Sequence, residues 1–130
     1  MPNASTAFVD TNVLLYAASG RTADEAKTAR ALELLTNNKV CLSFQVLQEF
    51  YANAVNPRKL GMTPTEAAAW CDTWLQCPVA SLGLEAFVRT LELVRRYQLS
   101  NWDAAILAAA QQLGCTIVYS EDFNHVQNYD

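Results

Sequence analysis

Apolar and polar positions along the chain alternate between two rhythms, short continuous runs and longer stripes at helical spacing. Thr6 to Val9 is an apolar run stopped by Asp-Thr-Asn at 10–12; too short for a helix, it predicts a buried strand with a turn after it. Val13 to Ala17 opens a helix that Gly20 breaks. Thr22-Ala-Asp-Glu25 then has the hydroxyl-to-acid spacing of a capping box and predicts a second helix to about Leu35. Lys39 to Ser43 reads as a second strand. Gln45 to Ala54 places Val46, Leu47, Phe50 and Ala54 on one helical stripe, which Asn56-Pro57 ends.

The second half repeats the alternation. Thr63-Pro64-Thr65-Glu66 combines a capping threonine, proline at the first helical position and glutamate at the third, predicting a helix from there to Cys77, before Pro78. Val79 to Leu82 is a short third strand. Leu84 to Tyr97 is helical, with Arg95 and Arg96 in the last turn, where cations favour the helix dipole. Ser100 caps an alanine-rich helix ending near Gly114, and β-branched Cys115 to Tyr119 is a last strand leading into Ser120-Glu121-Asp122.

Strands separated by single helices or helix pairs predict a three-layer α/β/α fold: a central parallel sheet of four or five short strands covered on both faces. The expectation is a single domain over residues 1–130, with ligands bound beyond the carboxyl ends of the strands.

Composition agrees with a packed domain: 52% of the 130 residues are hydrophobic, enough to bury a core. No apolar run approaches the roughly 20 residues that cross a bilayer, and Met-Pro-Asn-Ala-Ser-Thr has neither a basic nor a long apolar segment, so a cytoplasmic protein without membrane contact is expected. Cys41, Cys71, Cys77 and Cys115 form no Cys-x-x-Cys pair and share the chain with one histidine. They make no zinc ligand set and read as buried small apolar residues.

The net charge of −4 lacks the basic excess usual for a nucleic-acid binder. Four carboxylates account for it: of 13 acidic residues, Asp10, Glu49, Asp103 and Asp122 recur at strand–helix boundaries, leaving nine against nine basic ones. Taken singly, each has an ordinary reading. Asp10 and Asp122 suit turns after strands, and Glu121 rivals Asp122. Asp103 suits the first turn of a helix. Glu49 lies about 60° around its helix from Val46, at the border of the apolar stripe, where a solvated glutamate also fits. Asn12 can hold a carboxylate or a metal-bound water, or satisfy the turn. Together, the four can line one sheet edge, where like charges repel unless a cation compensates them; oxygen-only ligands suit magnesium or manganese.

Four segments stand out in order: Phe-Val-Asp-Thr-Asn-Val-Leu-Leu-Tyr-Ala at 8–17, Leu-Ser-Phe-Gln-Val-Leu-Gln-Glu-Phe at 42–50, Trp-Asp-Ala-Ala-Ile-Leu-Ala-Ala-Ala at 102–110 and Val-Tyr-Ser-Glu-Asp-Phe at 118–123. With them the chain resembles the PIN-domain ribonucleases, and among them the small VapC-type toxins of toxin–antitoxin pairs, whose four motifs they are similar to. The resemblance implies an acidic cluster of Asp10, Glu49, Asp103 and Asp122 holding one or two Mg²⁺ or Mn²⁺ ions, with Asn12 and Ser120 as supporting groups. It favours Asp122 over Glu121. It also implies hydrolysis of RNA leaving a 5′ phosphate, and a cognate antitoxin as partner. The pattern departs near the C-terminal end, where His125-Val126-Gln127 stand in place of the family's usual glycine and following strand.

Arg58 and Lys59, in the loop after the second-motif helix, are candidates for phosphate contacts, and a solvated pair is the alternative. An acidic monomer offers single-stranded RNA little basic surface, so a homodimer sharing a groove is expected. Trp70 and Trp74, four apart with Ala67, Cys71 and Leu75, suit core packing or a partner groove. His125 has no nucleophile or orienting acid at a recognised spacing. Two rival functions remain in view. A magnesium-dependent phosphatase of the haloacid-dehalogenase type needs a second aspartate where Asn12 stands, and a non-catalytic interaction module would keep the fold without cleavage.

Overall fold

Ten elements follow one another in the predicted order in a computed structural model that describes residues 6–19, 25–81 and 83–119. They are β1 (Thr6–Val9), α1 (Thr11–Ser19), α2 (Glu25–Asn37), β2 (Lys39–Ser43), α3 (Phe44–Val55), α4 (Pro64–Trp74), β3 (Val79–Ala80), α5 (Leu84–Tyr97), α6 (Asn101–Gln112) and β4 (Ile117–Tyr119).

The strands form one parallel sheet in the order β3-β2-β1-β4. Phe8 of β1 lies between Cys41 of β2 and Val118 of β4, so β1 has a neighbour on each side. That position explains its sequence: Ala7, Phe8 and Val9 are fully buried, as a central parallel strand covered on both faces requires. From β1 the chain steps to β2 and β3 in one direction, then returns past both to place β4 on the other side of β1. Right-handed crossovers therefore put α1 to α4 on one face and α5 and α6 on the other. The packing of α1 on α2 and α3, of α3 on α4, and of α5 on α6 follows that division.

Local boundaries depart from the sequence pattern where tertiary contacts take over a backbone group. The approach to the fourth motif is one case: Cys115 donates its N–H to Ala110 O after Gly114 turns the chain at φ 72°, so β4 begins at Ile117 rather than Cys115. Likewise α4 stops at Trp74, not Cys77, because Gln76 and Cys77 bond three residues back in tighter turns ahead of Pro78. Its start is as expected, with Thr63 and Glu66 bonding each other's backbone N–H. Helix α2 runs on to Asn37, while its expected cap at Thr22 lies outside the described residues. Strand β3 is two residues long, and Leu82 is likewise not described.

Candidate active site

Asp10 is the first residue past β1, at the carboxyl edge and at the point where the strand order reverses between β1 and β4. Open α/β sheets bind ligands at such switch points. Its backbone is held on both sides. The Asp10 N–H donates to Tyr119 O at the end of β4 (2.9 Å), and its carbonyl accepts from Val13 N (3.1 Å), which joins the strand directly to α1. The residue is 5% exposed, and its side-chain Oδ1 accepts the Thr11 N–H at 2.6 Å. A carboxylate this buried and bonded to the first amide of a helix is held in place rather than loose at the surface.

Glu49 enters from α3, which packs on α1. Half-buried at the edge of the stripe formed by Val46, Phe50 and Ala54, it accepts the Thr11 hydroxyl on Oε1 at 2.9 Å. Burial pushes its pKa up from the usual 4.5, the Thr11 hydrogen bond pulls it down, and the nearby charge of Asp10 pushes it up again. The two carboxylates therefore share one electrostatic environment.

Asp103 reaches the carboxyl edge by a different route. Only Leu113 to Thr116 separate the end of α6 from β4, and Thr116 N bonds Thr6 O at the start of β1, so α6 ends at the amino edge. Its 12 residues, roughly 18 Å long, carry the first turn back toward the carboxyl edge. There Ser100 caps the helix by accepting the Asp103 N–H at 3.0 Å, and Asp103 is half-buried. Among the described residues, no three of histidine, cysteine, aspartate and glutamate come close enough together to hold a metal. The structure thus brings Asp10 and Glu49 together and leaves Asp103 outside their pair. Asp122, Glu121, Ser120 and His125 lie outside the described residues.

The donor set of the pair is all carboxylate oxygen. That chemistry fits a hard divalent cation such as Mg²⁺, which keeps several waters and takes one or two carboxylates from a protein. Asn12 is half-buried in the first turn of α1. Arg58 and Lys59 are exposed in the turn beyond α3, whose last residue, Val55, is roughly 9 Å along the axis from Glu49. Trp74 is buried and Trp70 packs against the core beside it, their rings stacked at 5.4 Å, which settles the core reading for Trp74. Sequence reasoning missed Thr11. Its one signal was a hydroxyl next to Asp10 at the start of a helix.

The chain matches the PIN domain model over residues 7–129 and belongs to that family. Its fold is that of solved VapC toxins. VapC20 of Mycobacterium tuberculosis, a sarcin–ricin loop cleaving toxin, superposes with a TM-score of 0.70 at 20% identity, covering 95% of this chain and 99% of the other. A toxin–antitoxin complex from Klebsiella pneumoniae gives 0.66 at 22% identity over 86% and 82% of the two chains. VapBC2 of Rickettsia felis, bound to a DNA fragment from the promoter, gives 0.60 at 22% over 96% and 99%. No curated protein matches the sequence.

Proposed function

We propose that this chain is a metal-dependent endoribonuclease that hydrolyses phosphodiester bonds in single-stranded or loop RNA, as the toxin of a type II toxin–antitoxin pair. The observation that carries the proposal is the buried Asp10 carboxylate at the β1–β4 switch point, with Glu49 drawn beside it. Asp10, Asp103 and Asp122, with Glu49, would hold one or two Mg²⁺ or Mn²⁺ ions, and Asn12 and Ser120 would support them. Bound there, a divalent cation supplies Lewis-acid stabilisation of charge on the phosphate and lowers the pKa of a coordinated water. Glu49 orients the attacking water and accepts its proton. Attack in line with the leaving 3′ oxygen yields a 5′ phosphate. Arg58 and Lys59 would contact phosphates along the strand.

Asp10→Asn is nearly isosteric and removes one carboxylate. It should abolish cleavage of a loop RNA while the circular dichroism spectrum stays that of the wild type, and a chelator should do the same to the unmodified protein. Full activity in either experiment overturns the proposal. The alternative is a non-catalytic interaction module that keeps the fold. Metal binding without cleavage would decide for it.

The proposed partners are RNA, a cognate antitoxin and a second copy of the chain. Antitoxin pairing rests on the Klebsiella pneumoniae and Rickettsia felis relatives, and growth arrest on expression, relieved by a co-expressed neighbouring gene, tests it. Helix α5 supports the homodimer. Leu84, Phe87 and Val88 are 80%, 55% and 51% exposed and continue to Leu91 on a stripe ~180° around from buried Leu93. Antiparallel pairing of two such helices buries both stripes and brings Arg95 of each copy to the end where Glu85 of the other lies. Among the described residues no helix is long and apolar enough to cross a membrane, and action in the cytoplasm belongs to this proposal.

A further inference from the structure

Thr11 donates to both carboxylates at once, its N–H to Asp10 Oδ1 at 2.6 Å and its hydroxyl to Glu49 Oε1 at 2.9 Å. Glu49 is 38 residues away in sequence, on a different helix, and Thr11 is 6% exposed between them. Burial and the charge of Asp10 both disfavour a carboxylate at Glu49 and would turn its flexible side chain outward. The hydroxyl opposes both. Its place at the first position of α1 matters, because a threonine further into a helix can spend its hydroxyl on the carbonyl four residues earlier, as Thr90 does on Ala86 O. In the opening turn Thr11 is free of that local bond and its hydroxyl crosses to α3.

We propose that Thr11 is a positioning residue that holds the Asp10 and Glu49 carboxylates at one fixed spacing, so that the pair is ready for a divalent cation before the cation arrives. The inference rests on the metal-site reading above and adds to it a residue that touches neither cation nor RNA. Partners of this kind orient metal ligands, and losing one typically costs 10–100-fold in metal affinity.

The test is Mn²⁺ titration of the whole chain without RNA, by calorimetry, on wild type, Thr11→Val, Thr11→Ser and Asp10→Asn, with thermal melts of each in a chelator. Thr11→Val keeps the shape and deletes the hydroxyl; it should weaken Mn²⁺ binding by about 10-fold or more. Thr11→Ser keeps the hydroxyl and should bind within about 2-fold of wild type. A residue that merely packs behaves the other way round, with serine losing melting temperature and valine binding Mn²⁺ normally. That pattern overturns the proposal and leaves the metal site standing. Unchanged Mn²⁺ affinity in Asp10→Asn, or no binding by wild type, overturns the metal-site reading and this inference with it. Thr11→Ala also deletes the hydroxyl and gives the same comparison if the valine variant does not fold.

Discussion

Asp10 and Glu49 are kept close at a cost in folding that the chain can be made to reveal. The Glu49 pKa is raised in the folded protein, by burial first and by Asp10 as well, so folding favours its protonated form. The sign follows directly: its contribution to metal-free stability is fully present below the ordinary 4.5 and is lost as pH rises through the higher folded value. Glu49→Gln keeps an oxygen for the Thr11 hydroxyl and carries no charge. In a chelator it should melt close to wild type at pH 4 and a few degrees above it at pH 8, the modest shift proper to a half-buried group. Parallel pH dependences for the two proteins would sink this electrostatic account. The sequence made Asp10 visible because a strand ends on it. It could not show that Glu49 approaches, since that depends on α1 packing against α3, nor that Thr11 serves both, since a hydroxyl after an aspartate is equally a turn residue.

Elements were more legible than their ends. Helix α5 covers Leu84–Tyr97 as its spacing predicts, yet its C-cap, Gln98, takes the left-handed region at φ 55°, where glycine is the ordinary choice, so no residue type announced it. Helix α4 was announced by its capping box and limited by Pro78, whereas the importance of its last residue came from packing. Trp74 meets Phe50 of α3 edge-on at 5.7 Å and stacks on Trp70, and its indole N–H finds no acceptor among the described residues. Its contribution is therefore apolar contact between two helices. Trp74→Ala should destabilise the protein by about 3–5 kcal/mol in urea unfolding. A loss below about 1 kcal/mol would show that α4 is not part of the core.

At the scale of the molecule, alternation of strands and helices implied a parallel sheet but not its order. Nothing in the residues of β4 says on which side of the sheet it joins; that follows from α5 and α6 covering the other face and carrying the chain back past β2 to β1. The order matters because it is what makes Asp10 a switch-point residue. The outward stripe of α5 is also a property of the whole, since the same helix is apolar toward α6 and toward solvent. Phe87→Glu should convert a dimer to a monomer in light scattering after size exclusion, with the monomer still folded; a wild type already monomeric at high concentration would remove the shared-groove reading. The three tryptophans, finally, divide by surroundings: Trp70 and Trp74 stack at 26° in and against the core, while Trp102 is 37% exposed and adjoins Asp103. Tryptophan emission shifts with solvent contact, so the chain carries two built-in optical gauges: buried Trp74 with its half-buried neighbour Trp70 should report on interior packing, and the more exposed Trp102, next to Asp103 in sequence, on events at that end of α6 without a label.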